Sequence, residues 1–217
     1  MRMRFVLTIA GSDSCGGAGI QADIKTITAL GAHALSVVTA VTAQNSLGIA
    51  AVHELPERFI SKQIETIIND QTPHAVKTGM LPTGVAVREI AEIIEKRKMH
   101  PLVVDPVMRA STGRSLLDTS AVPLLMELLL PLAQVVTPNL DEAEILTGRE
   151  VRDIAGMEEA AKEIKGLGPD VVVTGGHLEG VCDRDGGYTR QWLCVLHFPG
   201  NLPCNGSRHC SLCKACP

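Results

Sequence analysis

The chain has 217 residues, of which 45% are hydrophobic and 20% charged, with a formal net charge of −4. This length suits one full α/β domain and could just hold two small ones, the balance is that of a soluble globular protein, and the acidic excess argues against nucleic acid as a main partner. No apolar run approaches the roughly 18 residues of a membrane span and no signal region precedes the first strand-like segment, so a cytoplasmic protein without a membrane partner is expected.

In chain order, Arg4–Ala10 reads as a buried strand, followed by GSDSCGGAGIQAD (Gly11–Asp23) and a helix over Ile20–Leu30 that Gly31 stops. Ala34–Ala43 is a long β-rich run, and Gly48–His53 a shorter one that is a candidate for pairing across a homodimer. Pro56 opens a helix to Asn69, with Phe59, Ile60, Ile64, Ile67 and Ile68 at helical spacing. Next come a strand Ala75–Lys77, a helix Gly84–Arg97 and a strand Leu102–Asp105. Leu117–Leu130 reads as a helix, Val135–Val136 as a strand, Asn139–Leu146 and Met157–Lys165 as helices, and Asp170–Thr174 as a last strand. Continuously apolar strands alternating with helices predict an α/β fold, a doubly wound, mostly parallel sheet with helices on both faces. Ligands in such folds gather at the carboxyl ends of the strands.

The glycine stretch is the first of those ends. Gly17-Ala18-Gly19-Ile20-Gln21-Ala22 matches G-x-G-x-x-A, but the next strand ends at Ala43-Gln44 with no acid for a ribose, which argues against a dinucleotide site. Gly11 and Gly16 have the spacing of a triphosphate loop, yet Gly17 and Ala18 stand where Lys and Ser/Thr belong. A tight packing turn remains, or a backbone that approaches a small ligand with helix amides aimed at a polar or anionic group. Further along, Asn139 suits a helix N-cap, and Asp141 and Glu142 suit the positive helix end. With Asp105 at a neighbouring strand end, the same oxygens also suit Mg²⁺ bridged to phosphates. Gln44 is either a surface amide or a specificity residue for the edge of a nitrogen heterocycle.

LTIAGSDSCGGAGIQADIKT, VTAVTAQNS, HAVKTGML, VVDPVM, TPNLDEAEILTG and VVVTGGH occur in this order over residues 4–180. Together they resemble the hydroxymethylpyrimidine/phosphomethylpyrimidine kinases of thiamine biosynthesis, which belong with the pyridoxal kinases to the ribokinase-like superfamily. The resemblance implies a ribokinase-like fold and ATP- and Mg²⁺-dependent phosphorylation of 4-amino-5-hydroxymethyl-2-methylpyrimidine and then of its monophosphate. It places Gln44 on the pyrimidine, with Gly11, Met80 and Val107 as walls of the same pocket and Asp23 near the substrate side. It places Asn139 and Glu142 at Mg²⁺ and the nucleotide phosphates, with Asp105 alongside, and Thr174 to Gly176 at the nucleotide-facing strand end. Some relatives carry Lys where Thr174 stands, and Ser111-Thr112-Gly113 matches a mobile loop near the phosphates. A pyridoxal kinase and a non-catalytic pyrimidine-binding module are the alternatives.

Six of the seven cysteines and three of the five aromatic residues fall after Gly180. Family members continue there to a G-T-G-C-T-like segment whose amides form an anion hole and whose Cys or Asp is the base. This sequence shows no such segment, and the neighbours of Cys213 do not match it, so no catalytic base is assigned. Residues 181–217 are expected to be an aberrant Cys-rich tail, out of frame or disordered, on a C-terminally incomplete kinase domain (1–180), and turnover is expected to be weak or absent. A metal site at Cys204, His209, Cys210, Cys213 and Cys216 and a disulfide-rich appendage are the rival readings of the tail.

Overall fold

The computed structural model describes residues 3–109, 116–175 and 194–197. The chain divides into two compact units, residues 1–136 and 137–217.

The first unit is built on β1 (Phe5–Asp13), α1 (Gly19–Ala29), β2 (His33–Asn45), β3 (Gly48–Glu54), α2 (Glu57–Ile68), β4 (Ala75–Thr78), α3 (Gly84–Arg97), β5 (Leu102–Val104) and β6 (Val135–Val136). The strand order is β3-β2-β1-β4-β5-β6. All neighbours run parallel except β3, which is antiparallel to β2. Leu7, Ile9, Val37, Val76, Leu102, Val104 and Val136 are buried along these strands, which is why the runs read as continuously apolar. With right-handed crossovers, β1–α1–β2 steps toward one edge and β4–α3–β5 toward the other, so α1 and α3 cover opposite faces. The order reverses between β1 and β4, and a crevice outside their carboxyl ends is the expected ligand position.

The stretch expected as one helix over Leu117–Leu130 is broken. It comprises a 3₁₀ turn (Thr119–Ala121), a single α-turn (Val122–Leu124), π-type turns (Leu125–Leu129) and a second 3₁₀ turn (Leu130–Leu132). Pro123 opens the α-turn, where its missing N–H costs nothing, while Pro131 cannot extend the ladder that reaches it.

The second unit contains α4 (Leu140–Thr147), α5 (Ile154–Lys165), β7 (Asp170–Thr174) and β8 (Cys194–His197). Buried Leu140, Ala143, Leu146, Met157, Ala160, Ala161, Ile164, Val171 and Val173 form its core. Helix α5 begins three residues before its expected start because the Asp153 carboxylate caps it, accepting the Gly156 N–H at 2.7 Å. Strand β8, within the 181–217 segment, pairs antiparallel with β7. Among the described residues, no helix is long and apolar enough to cross a membrane.

Candidate active site

Strand β1 runs past Ala10 to Asp13, so Gly11 and Ser12 are strand residues and the turn proper is residues 14–18. Asp13 is 4% exposed. Its Oδ1 accepts the Cys15 N–H at 2.8 Å, and its Oδ2 accepts those of Gly17 and Ala18 at 2.9 and 2.8 Å. Amides of the turn that leads into α1 are therefore taken up by the protein's own carboxylate. Gln21, in the first turn of α1, accepts the Asp13 N–H at 2.8 Å and donates to Ser12 Oγ at 2.7 Å. Gly19 has φ +57°, and a Cβ there would lie 2.3 Å from the Gly11 carbonyl oxygen. Conformation and space both require glycine at that position.

Strands β1 and β2 run in parallel register with Asp13 beside Thr42, which carries Gln44 alongside the turn. Ser14 Oγ donates to the Gln44 carbonyl at 2.8 Å and accepts the Gln44 N–H at 2.8 Å. Thr42 Oγ1 donates to the Ser12 carbonyl at 2.9 Å and lies 3.2 Å from Gln44 Oε1. Half-buried Gln44 lines an open concavity of about 540 Å³ together with Ser14 and residues 43, 45 and 47–50. The concavity is a shallow surface hollow, largely open to solvent. Gly11, Met80, Val107 and Asp23 lie outside that lining. Gly11 is buried against Met80, whose Sδ would stand 2.9 Å from any side chain added at residue 11. Val107 follows β5, with its N–H turned back onto the Asp105 carbonyl at 2.8 Å.

An ionic cluster occupies the reversal point. Lys77 Nζ on β4 lies 3.2 and 3.1 Å from the two Asp23 carboxylate oxygens and 3.2 Å from Asp105 Oδ2. Thr8 Oγ1 donates to Asp23 Oδ2 at 2.5 Å. Gly79 leaves room for the lysine, since a Cβ there would meet Lys77 Nζ at 3.1 Å. Burial disfavours the Lys77 ammonium, but the two carboxylates outweigh it and hold its pKa above the ordinary lysine value. Burial dominates at Asp105 and pushes its carboxyl up, against the attraction of Lys77. Asp23 and Asp105, expected at substrate and metal, are thus tied to one ammonium. With both acids ionised the cluster carries a net charge of −1, and Asp105 keeps 34% of its side chain open to solvent.

In the second unit, Asn139 Oδ1 accepts the Glu142 N–H and Glu142 Oε2 accepts the Asn139 N–H, both at 2.9 Å. This reciprocal capping box places a carboxylate that is 3% exposed at the head of α4. Thr174, at the end of β7, bridges to Asn139 in parallel fashion and donates its N–H to the Pro138 carbonyl at 2.9 Å. Gly176, Ser111 to Gly113 and Cys213 lie outside the described residues. Among the described residues, no three His, Cys, Asp or Glu side chains are gathered as a ready-made metal site.

The family model described as phosphomethylpyrimidine kinase matches residues 13–196. The chain belongs to the phosphomethylpyrimidine kinase family. A hydroxymethylpyrimidine/phosphomethylpyrimidine kinase of Mycobacterium bovis is 48% identical over 183 residues, covering 82% of this chain and 66% of its own length. A thiamine biosynthesis bifunctional protein of Geobacter sulfurreducens is 48% identical over 174 residues, 80% of this chain and 36% of the relative. The chain therefore spans about a third of the bifunctional relative and just under two thirds of the kinase. A phosphomethylpyrimidine kinase crystal structure from Clostridium difficile superposes with a TM-score of 0.75 at 47% identity, covering 82% of this chain and 77% of that one. The Staphylococcus aureus pyridoxal kinase in complex with pyridoxal has a TM-score of 0.74 at 36% identity, over 81% of this chain and 66% of that one. These likenesses establish the ribokinase-like fold expected from the motifs.

Several residues of this family member escape a sequence reading. Asp13 carried a local signal, an aspartate two to five residues before a run of glycine-rich amides. Lys77 carried one too, as a single charge in the otherwise apolar segment HAVKTGML. Ser14 and Thr8 carried none, because their partners lie on other elements.

Proposed function

We propose that this chain binds 4-amino-5-hydroxymethyl-2-methylpyrimidine and its monophosphate and phosphorylates them with ATP and Mg²⁺ in the cytoplasm. The observation that carries the reading is the 48% identity over 183 residues to a hydroxymethylpyrimidine/phosphomethylpyrimidine kinase. The position of the Gln44 amide at an open surface concavity supports it. One amide can donate to a ring nitrogen and accept from an exocyclic amine. A site built to hydrogen-bond a ring disfavours an analogue lacking the partner group by about 10⁴ or more. Gly11, Met80 and Val107 are assigned as walls of the pyrimidine site and Asp23 as a carboxylate on its substrate side, beyond the concavity that Gln44 lines.

Asn139, Glu142, Thr174 and Gly176 are assigned to the nucleotide. Asp105 and Glu142 are each assigned as an oxygen donor of the hard type that Mg²⁺ takes. ATP bound with Mg²⁺ supplies the phosphoryl group and the charge neutralisation on which transfer depends. The protein's own part is positioning: a rigid turn beside Gln44 and a capped helix that holds Glu142. Edge strand β3, paired only with β2 among the described residues, is the assigned contact of a homodimer.

The test is direct. The 217-residue chain is incubated with hydroxymethylpyrimidine, ATP and Mg²⁺, and ADP release is followed for wild type and Gln44→Ala. ADP release that depends on the pyrimidine and weakens in the variant supports the reading. Pyrimidine binding without ADP release identifies a non-catalytic module instead. Preference for pyridoxal, the second reading, is favoured by the likeness to the pyridoxal complex. Competition between the two ring systems decides it.

A further inference from the structure

Ser14 belongs to the glycine turn, whereas Gln44 lies 30 positions later on β2. The parallel register of β1 and β2 ends at Asp13 beside Thr42, and beyond it the Ser14 hydroxyl takes over as a side-chain rung. It donates to the Gln44 carbonyl and accepts its N–H, both at 2.8 Å. On its other side, Gln44 pairs with Ile49 of β3 just after a register shift that follows Ala43. Such a bulge re-aims a side chain and locally disrupts the ladder, so backbone support from elsewhere has a disproportionate effect there. Both residues line the same concavity.

We propose that Ser14 is the positioning residue for Gln44: its hydroxyl ties the bulged Gln44 backbone to the glycine turn and so fixes where the Gln44 amide stands in the concavity. The inference rests on the reading of Gln44 as the residue that contacts the pyrimidine. Apparent affinity falls in proportion to the fraction of protein in the competent conformation. The Ser14 rung therefore acts on recognition of the ring and not on the nucleotide. The turn end of this rung is itself anchored by the Asp13 and Gln21 hydrogen bonds within the loop.

The experiment uses the 217-residue chain and two titrations, one with hydroxymethylpyrimidine and one with ADP, together with amide exchange at Gln44. Ser14→Ala is expected to weaken hydroxymethylpyrimidine binding about tenfold, the loss of two ordinary hydrogen bonds. ADP affinity should stay unchanged and the melting temperature should fall by only a few degrees, because Ser14 is exposed and outside the core. Exchange of the Gln44 amide proton should accelerate, since its acceptor is gone. Ser14→Thr, which keeps the hydroxyl, should restore both binding and protection. In a Gln44→Ala background, Ser14→Ala should add almost nothing. Unchanged Gln44 amide exchange in Ser14→Ala overturns the proposal, as does a fully additive loss in the double variant. If the wild-type chain binds no hydroxymethylpyrimidine, the functional reading fails and the role assigned to Ser14 falls with it. The amide-exchange comparison then shows whether the rung itself exists.

Discussion

The Asp13 carboxylate reaches the Ala18 backbone N–H at 2.8 Å while Asp13 itself still belongs to β1. The end of a strand thereby ties down, with its own side chain, the turn that leads into the next helix. The N–H groups of Cys15, Gly17 and Ala18 are thereby satisfied by a buried anion and are not open to a phosphate. What the turn presents to its surroundings is a fixed shape.

Removing the Asp13 carboxylate should therefore loosen the whole turn. It accepts three backbone N–H groups, and hydrogen bonds to a charged group are each worth about 1.5–3 kcal/mol. Cys15, Gly17 and Ala18 are exposed, so water recovers part of that loss. Asp13→Ala should cost roughly 2–4 kcal/mol in urea denaturation, and Asp13→Asn, which keeps one oxygen acceptor, distinctly less. Equal stability of wild type and Asp13→Ala would remove the carboxylate from this role.

The succession of strands and helices along the chain was legible because the buried strands are mostly apolar and each amphipathic helix keeps its period. Helix α3 occupies the expected Gly84–Arg97, with Thr83 as its cap and Lys98 in the left-handed region at its end. The extension of β1 through Gly11, Ser12 and Asp13 was not legible. Those residue types disfavour strands, and the extension is held by pairing with Val41 and Thr42 across the sheet. Residues 117–130 misled for a different reason. LLMELLLPL is apolar on every side, so its pattern carries no phase to distinguish an α-helix from tighter and wider turns. At the site, Gln44, Asp105 and Asn139 stood out as polar groups at strand ends, and Glu142 as an acid in the first turn of the helix that follows Asn139. The Lys77 link between Asp23 and Asp105 did not, because it depends on α1, β4 and β5 meeting in space.

Two glycines in the site should respond to alanine to different degrees. At Gly19 the φ of +57° and a contact 2.3 Å from the Gly11 carbonyl oxygen leave no room on a rigid backbone. Gly19→Ala should lower stability by about 2–4 kcal/mol or yield insoluble protein. At Gly11 the obstacle is Met80 Sδ at 2.9 Å, part of an unbranched side chain that can swing aside. Gly11→Ala should cost under about 1.5 kcal/mol while weakening pyrimidine binding through the displaced Met80. Thermal melts and one titration check both, and a Gly11→Ala variant as unstable as Gly19→Ala contradicts the distinction.

Lys77→Met should leave Asp23 and Asp105 facing each other without a counter-charge. A fully buried pair broken this way costs about 3–5 kcal/mol, and the partial exposure of all three side chains reduces the expectation to roughly 1–3 kcal/mol. The pH dependence has a definite sign. The native pKa of Lys77 is raised, so its contribution is complete below the ordinary value of 10.5 and is lost as pH climbs through the native value. At the acid end the variant recovers. Asp105, already raised above 3.8, rises further without Lys77, and its protonation relieves the repulsion as pH falls. Denaturation from pH 4 to 11 should show a deficit that is greatest near neutrality and narrows at both ends. A deficit independent of pH would assign the effect to lost packing of the lysine stem.

Glu142 has a structural role that can be separated from its proposed functional one. Its Oε2 accepts the Asn139 N–H and its own N–H donates to Asn139 Oδ1, so the cap needs an oxygen at the end of residue 142 but not a charge. Glu142→Gln keeps that oxygen and should change stability by no more than about 0.5 kcal/mol. Asn139→Ala removes the cap acceptor and should cost about 1 kcal/mol. If Glu142 is an oxygen donor to Mg²⁺, Glu142→Gln should weaken nucleotide binding at least tenfold when Mg²⁺ is present and leave it unchanged in EDTA. Calorimetric titration of AMP-PCP under the two conditions reads that difference without requiring turnover. A Glu142→Gln variant that melts as early as Asn139→Ala, yet binds nucleotide with wild-type affinity in Mg²⁺, would reduce this carboxylate to the cap of its helix.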